Sequence, residues 1–153
     1  MIRVLMVCLG NICRSPLAEG ILKSKVDETL VFVDSAGTGG WHVGELPDAR
    51  SIQIARQNHI DISDQRCRKF KAHDFDDFDL IYVMDKSNLS DVISLAKTEM
   101  HRKKVKMILN DDMEGYIMEV PDPYYGGDRG FEKVFALLDE ACEHIAKSLS
   151  HEE

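Results

Sequence analysis

No stretch of this chain is apolar over anything near the ~20 residues that a membrane-spanning helix needs. The apolar run at residues 4–9 is also too short for the core of a secretion signal. Positive charge is scarce: 19 Lys and Arg stand against 27 Asp and Glu, a formal net charge of −8. A nucleic-acid binder needs a basic face to neutralise phosphates, so neither nucleic acid nor membrane is expected as a partner. The two basic clusters, Arg66-Cys67-Arg68-Lys69 and His101-Arg102-Lys103-Lys104, read as solvated faces offset by the acidic tracts at 74–79 and 110–114. Metal-ligand spacing is missing too. Cys8 and Cys13 lack the two further nearby ligands of a structural zinc site, and the six His are scattered and read as surface or ordinary polar positions. No cofactor and no metal is expected. The four cysteines, with no targeting signal beside them, read as thiols of a reduced compartment, which places the chain in the cytoplasm. There are no repeats, linkers or low-complexity tracts, and 153 residues with 44% hydrophobic content read as one domain, 1–153, with a real core.

What is present alternates. Arg3-Val4-Leu5-Met6-Val7 reads as a buried strand, and Pro16 opens a helical pattern through Ala18, Ile21, Leu22 and Val26. A second strand follows at 31–34, then a Gly-rich loop at 37–47 with the only Trp, Trp41. Asp48 is placed to cap a helix to about Asn58, with Ile52, Ala55 and His59 along one side. Residues 79–84 read as a buried strand, Asp85 or Ser87 starts a helix to about Lys97, and 105–109 reads as a fourth strand. Phe131, Val134, Phe135, Leu138, Cys142, Ile145 and Leu149 form the clearest helical stripe, with Cys142 as core. Alternating strands and helices predict an α/β, three-layer, single-domain fold: a four-stranded parallel sheet flanked by helices. Ligands of such sheets bind beyond the carboxyl ends of the strands. The loops at 8–15, 37–47, around Asp85 and at 110–129 all follow strands, and the last is long enough to be functional.

The first of these loops, Cys8-Leu9-Gly10-Asn11-Ile12-Cys13-Arg14-Ser15, leads from a strand into a helix N-terminus. Its backbone N–H groups can converge on one tetrahedral oxyanion, with the helix dipole adding positive potential. Cys8 opens the loop and Arg14 follows six residues later. Oriented amides, a helix N-terminus and a nearby guanidinium all favour a thiolate over a thiol. The planar fork of Arg14 can hold two phosphate oxygens at once, Ser15 can offer its hydroxyl to the sulfur, and Asn11 is suited to a left-handed turn.

Val7 to Glu19, V-C-L-G-N-I-C-R-S-P-L-A-E, resembles the active-site signature of the low-molecular-weight protein tyrosine phosphatases. Asp122-Pro123-Tyr124-Tyr125-Gly126 resembles that family's general-acid motif. Asp34-Ser35-Ala36-Gly37-Thr38 and Met84-Asp85-Lys86-Ser87-Asn88-Leu89 match it in order and spacing, so the resemblance spans the chain. It implies hydrolysis of a phosphotyrosine-bearing protein through a phosphocysteine intermediate, with no metal. Cys8 is then the nucleophile, Arg14 the clamp, Asp122 the general acid and base, and Leu9, Gly10, Asn11, Ile12, Cys13, Arg14 and Ser15 the phosphate loop. Ser35 resembles the residue that props Asn11, and Asp85 is a candidate to orient Arg14 or simply to cap its helix. Tyr124 and Tyr125 can wall the phosphorylated ring. Trp41 either faces them across the entrance or packs on its own loop.

Where the family commonly has His-x-Ala-Arg-Gln, this chain has Gln65-Arg66-Cys67-Arg68-Lys69. Gln65 can hydrogen-bond in place of the His that helps hold the loop Asn, but it cannot titrate. The family also suggests a pairing of Cys8 with Cys13 under oxidation, against Cys13 as a mere packing residue. Two alternatives share the fold. Thioredoxin-coupled arsenate reductases need resolving cysteines after the third strand, and 85–102 has none. Protein arginine phosphatases tend to carry Thr where this chain has Ile12, and a bulkier apolar side chain favours the phenolic ester.

Overall fold

The computed structural model describes residues 1–109, 119–123 and 127–150. Strand β1 (Ile2–Cys8) pairs in parallel with β2 (Val31–Gly37) on one side and β3 (Leu80–Val83) on the other, and β4 (Val105–Met107) adds beyond β3. The order is β2-β1-β3-β4. This is the parallel sheet expected from the alternating pattern. Helices α1 (Arg14–Lys25), α2 (Ala49–Gln57), α3 (Asp74–Asp77), α4 (Lys86–Ile93), α5 (Glu99–Lys103) and α6 (Gly127–Ser150) complete the chain order.

Successive residues of β1 point to opposite faces of the sheet, and the core divides accordingly. Val4, Met6 and Cys8 join the cluster built with α1 and α6, in which Leu17, Ala18, Ile21 and Leu22 meet Phe131, Val134, Leu138 and Cys142. Leu5 and Val7 join the other cluster, with Phe70, Phe75, Phe78 and Val92. β1 is thus buried on both faces, which is why it reads as an unbroken apolar run. All seven residues of the α6 stripe are buried, and the Cys142 thiol donates to Ala18 O at 3.7 Å.

Asp48 and Asp85 both cap as expected. Asp48 accepts from Arg50 N at 2.8 Å and Asp85 from Asn88 N at 2.8 Å, each filling an orphan donor of a helix start. α2 closes at Gln57 with Asn58 as its cap, as expected, but two other points differ from the expectation. His59 does not extend the buried side of α2: it lies past the helix end at φ 64°, exposed, while Ile60 N bonds back to Ala55 O at 2.9 Å. That is a left-handed helix stop, which a periodicity argument runs through. Likewise α4 ends at Ile93, and Thr98 accepts from His101 N at 3.1 Å to begin α5 as a separate element.

β1 sends its chain toward β2 on one side, whereas β3 lies on its other side. The gap between the carboxyl ends of β1 and β3 is therefore the topological switch point of the sheet, where such folds bind ligands. The loop after β1 and Asp85 after β3 flank it.

Candidate active site

The loop from Cys8 to Arg14 curls because Asn11 adopts φ 57°, the left-handed region where Asn is tolerated. The turn brings Asn11 N–H onto Cys8 Sγ at 3.3 Å, and Ser15 Oγ lies 3.0 Å from the same sulfur. A chain of side-chain bonds fixes these donors. Asn11 Nδ2 donates to Ser15 Oγ at 2.8 Å and to Ser35 Oγ at 3.0 Å, and Ser35 Oγ donates to Glu19 Oε1 at 2.7 Å. Glu19 is buried and takes Lys23 on its other oxygen at 2.6 Å. Burial pushes the Glu19 carboxyl above its ordinary range against the pull of the Lys23 and Ser35 bonds. Because the Ser15 oxygen already accepts from Asn11, its own proton is left for the sulfur, or for Ala36 O at 3.4 Å.

Asn11 is held on its remaining groups by the segment that departs from the family pattern. Arg68 N–H donates to Asn11 Oδ1 at 2.9 Å, and the Cys67 thiol donates to Asn11 O at 2.8 Å. Gln65 stands elsewhere: its amide donates to Pro16 O at 3.0 Å, and its own carbonyl oxygen is buried without a partner among the described residues. It braces the first turn of α1 rather than Asn11.

Arg14 is only 3% exposed. Its Nη1 donates to Asp85 Oδ2 at 2.8 Å and to Val120 O at 3.0 Å, and its Nη2 lies 3.8 Å from Asp122 Oδ2. Burial works against the Arg14 charge, but Cys8, Asp85 and Asp122 outweigh it and hold the guanidinium above its ordinary range. The Arg14–Asp85 pair spans the switch point. It also explains how Asp122, 108 positions after Arg14 in the chain, arrives here. Val120 N bonds Met84 O at 2.8 Å and Glu119 accepts from Lys86 N at 2.8 Å, so the end of β3 and the start of α4 hold the segment that carries Asp122.

Cys8, Arg14 and Asp122 line one cavity of about 320 Å³, together with Leu9, Gly10, Ile12 and Cys13 of the loop and with Trp41 and His42. Trp41 is 69% exposed, with its ring lying over Gly39: a Cβ at Gly39 would come within 2.0 Å of it. Trp41 therefore lines the entrance and packs on its own loop at once. Tyr124 and Tyr125 lie outside the described residues. All four cysteines are free and buried. Burial, with Asp48 and Cys8 nearby, pushes the Cys13 thiol up to about 12. Burial, with Glu45 and Cys8, pushes Cys67 to about 11, and burial pushes Cys142 to about 12.

Reading the residues one by one missed several that the fold brings here. His42 is no ordinary surface position, since it lines the cavity and bonds Glu45 at 3.0 Å. Its place next to Trp41 was the available signal. Glu19, Cys67, Arg68 and Val120 act through their neighbours, and nothing in their local spacing announces that.

Fold and loop together define a class: parallel α/β proteins with a Cys-x5-Arg strand-to-helix loop at the switch point. Comparison with known proteins narrows it. The family model described as low molecular weight phosphotyrosine protein phosphatase matches residues 3–153. The low molecular weight protein-tyrosine-phosphatase YfkJ of Bacillus subtilis is 40% identical over 99% of this chain and 98% of its own. Its crystal structure agrees with a TM-score of 0.92 at 38% identity, covering 100% of this chain and 97% of that one. The low molecular weight phosphotyrosine protein phosphatase of Schizosaccharomyces pombe is 39% identical over 97% of both chains. The crystal structure of a protein tyrosine phosphatase from Entamoeba histolytica, with Hepes in its active site, gives a TM-score of 0.91 at 34% identity over 99% of this chain and 98% of that one. The chain belongs to the low molecular weight phosphotyrosine protein phosphatase family.

Proposed function

We propose that residues 1–153 form one phosphatase domain that hydrolyses phosphotyrosine in proteins through a phosphocysteine intermediate. The observation that carries this reading is the Cys8 sulfur, which accepts the Asn11 amide at 3.3 Å and meets the Ser15 hydroxyl at 3.0 Å in the cavity shared with Arg14 and Asp122. The Cys8 thiolate attacks phosphorus, forming the S–P bond as the bond from phosphorus to the tyrosyl oxygen breaks. Asp122 gives its proton to the departing phenolate. It then takes a proton from the water that attacks phosphorus, which breaks the S–P bond and releases phosphate and the thiolate. The loop amides and Arg14 hold the equatorial oxygens in both steps.

The names of the relatives support tyrosine phosphoesters as the substrate. Ile12 in the cavity wall favours an aromatic ester over phosphoarginine, and the absence of cysteine from 85–102 speaks against arsenate reduction. The test is Cys8→Ser. Turnover of a phosphotyrosyl peptide should vanish while affinity for inorganic phosphate stays within a few-fold, because the amide and Arg14 cradle remains. Hydrolysis near the wild-type rate would overturn the nucleophile assignment.

A further inference from the structure

A second and larger cavity, of about 790 Å³, shares the Trp41 loop with the first: Gly40 and Val43 line it, whereas Trp41 and His42 line the Cys8 cavity. Its floor is aromatic. Phe32 and Phe78 stack with centroids 6.2 Å apart, and the Arg3 guanidinium lies 4.8 Å from the Phe32 ring centre. Phe32, on the outer strand of the sheet, is 39% exposed and Val43 59%. The walls are charged. Arg68 is engaged by Asp34 at 3.1 Å and by Asp74 at 3.1 Å, and Asp77 by His73 at 3.0 Å. The ammonium groups of Lys69 and Lys71 meet no carboxylate among the described residues. Four cations against three carboxylates make this groove net positive in a chain of net charge −8.

The groove is also rigidly tied to the phosphate loop. Gly37 N donates to Arg68 O at 2.9 Å and Phe70 N to Gly37 O at 2.7 Å, so Lys69 sits on a strand-like extension at the β2 edge. Gly39 N in turn donates to Leu9 O at 2.9 Å. The Lys69 stem lies against Gly40, where a Cβ would meet its Cδ at 3.4 Å. A substrate chain that crosses the Trp41 loop from the Cys8 cavity thus reaches two lysines, unpaired among the described residues, beside an apolar floor.

We infer that this groove docks an acidic segment, carrying an apolar side chain, of the same phosphoprotein whose phosphotyrosine enters the Cys8 cavity. The inference rests on the phosphotyrosine reading above. Lys69 and Lys71 take the carboxylates, and the exposed Phe32 and Val43 take the apolar side chain, with the buried Phe78 backing Phe32. Positive potential beside the mouth also draws anionic segments in against the repulsion of an acidic protein.

The experiment compares two phosphotyrosyl peptides, one flanked by Asp and Glu around a Leu, the other with Asn and Gln in those places. At low salt the wild type should show a kcat/KM about three- to tenfold higher for the acidic peptide, as two exposed ion pairs would give, and salt should erase the difference. Lys69→Glu with Lys71→Glu should abolish or invert the preference while leaving p-nitrophenyl phosphate turnover unchanged. Lys69→Gln with Lys71→Gln, milder for the fold, should abolish it without inversion. Equal kcat/KM for both peptides in the wild type, or a preference that survives the charge reversal, overturns the groove. The acidic peptide with Phe in place of phosphotyrosine separates this from the catalytic reading. It should still shift the amide resonances of residues 69–73, and no shift overturns the groove even if both phosphopeptides are hydrolysed. Shifts with neither phosphopeptide hydrolysed sink the catalytic reading and leave the groove as a peptide site.

Discussion

Removing the carboxylate of Asp85 while keeping a helix cap isolates what it does for Arg14. The two Asp85 oxygens have separate tasks: Oδ1 accepts from Asn88 N at 2.8 Å and Oδ2 accepts from Arg14 at 2.8 Å. Asp85→Ser retains an N-cap oxygen and loses the charge, whereas Asp85→Ala loses both. A hydrogen bond to a charged group contributes about 1.5–3 kcal/mol. If that orientation matters only in the transition state, its loss corresponds to about ten- to a hundredfold in turnover. Arg14 Nη1 is left with Val120 O at 3.0 Å, and Nη2 has Asp122 at 3.8 Å, so the guanidinium is free to tilt toward the acid and away from phosphate. Both variants should therefore lose the same factor in kcat on p-nitrophenyl phosphate. In urea unfolding, however, Asp85→Ala should be the less stable by the worth of a cap, about 0.5–2 kcal/mol. Asn at 85 has one carbonyl oxygen for two tasks, so it should fall near Ser in activity. Wild-type kcat in the Ser variant would refute the positioning argument, and so would activity that follows stability across the two variants.

Asp122→Asn should lower kcat by about 10²–10⁴, the usual worth of general acid–base catalysis. The loss should be larger on phosphotyrosine than on p-nitrophenyl phosphate, whose leaving group needs little protonation. Equal losses on both would point away from Asp122 as the acid. On oxidation, peroxide should take Cys8 to a sulfenic acid, and attack by Cys13 should form the S–S bond and release water. With the Cys13 thiol pushed up to about 12, its thiolate is scarce at neutral pH, so closure should accelerate about tenfold per pH unit between 7 and 9. Wild type should recover activity with dithiothreitol where Cys13→Ser does not, and mass spectrometry showing no Cys8–Cys13 link would refute the pairing.

The octet Cys8 to Ser15, its strand before and its helix after were legible because each is local: a buried apolar run, a permissive Asn and a Pro in the first helical turn. The α6 stripe was legible for the same reason, since side chains three and four apart share a helix face whatever else the chain does. Even the departure at Gln65 was visible. What replaces its support was not, because the Cys67 thiol and the Arg68 amide reach Asn11 across 56 and 57 positions of sequence. The place of His59 and the end of α4 at Ile93 escaped periodicity because a left-handed residue takes His59 off the α2 face, and Thr98 caps a new helix, without disturbing the apolar pattern. Sequence alone thus determined the α/β class, the phosphate loop and the candidates Cys8, Arg14 and Asp122. Tertiary structure alone decided that β1 and β3 are neighbours. Only that pairing brings Asp85 within 2.8 Å of Arg14 and anchors Val120, which seats Asp122 at the cavity, because strand order is set by how two buried faces of one sheet are covered, a property no single segment carries.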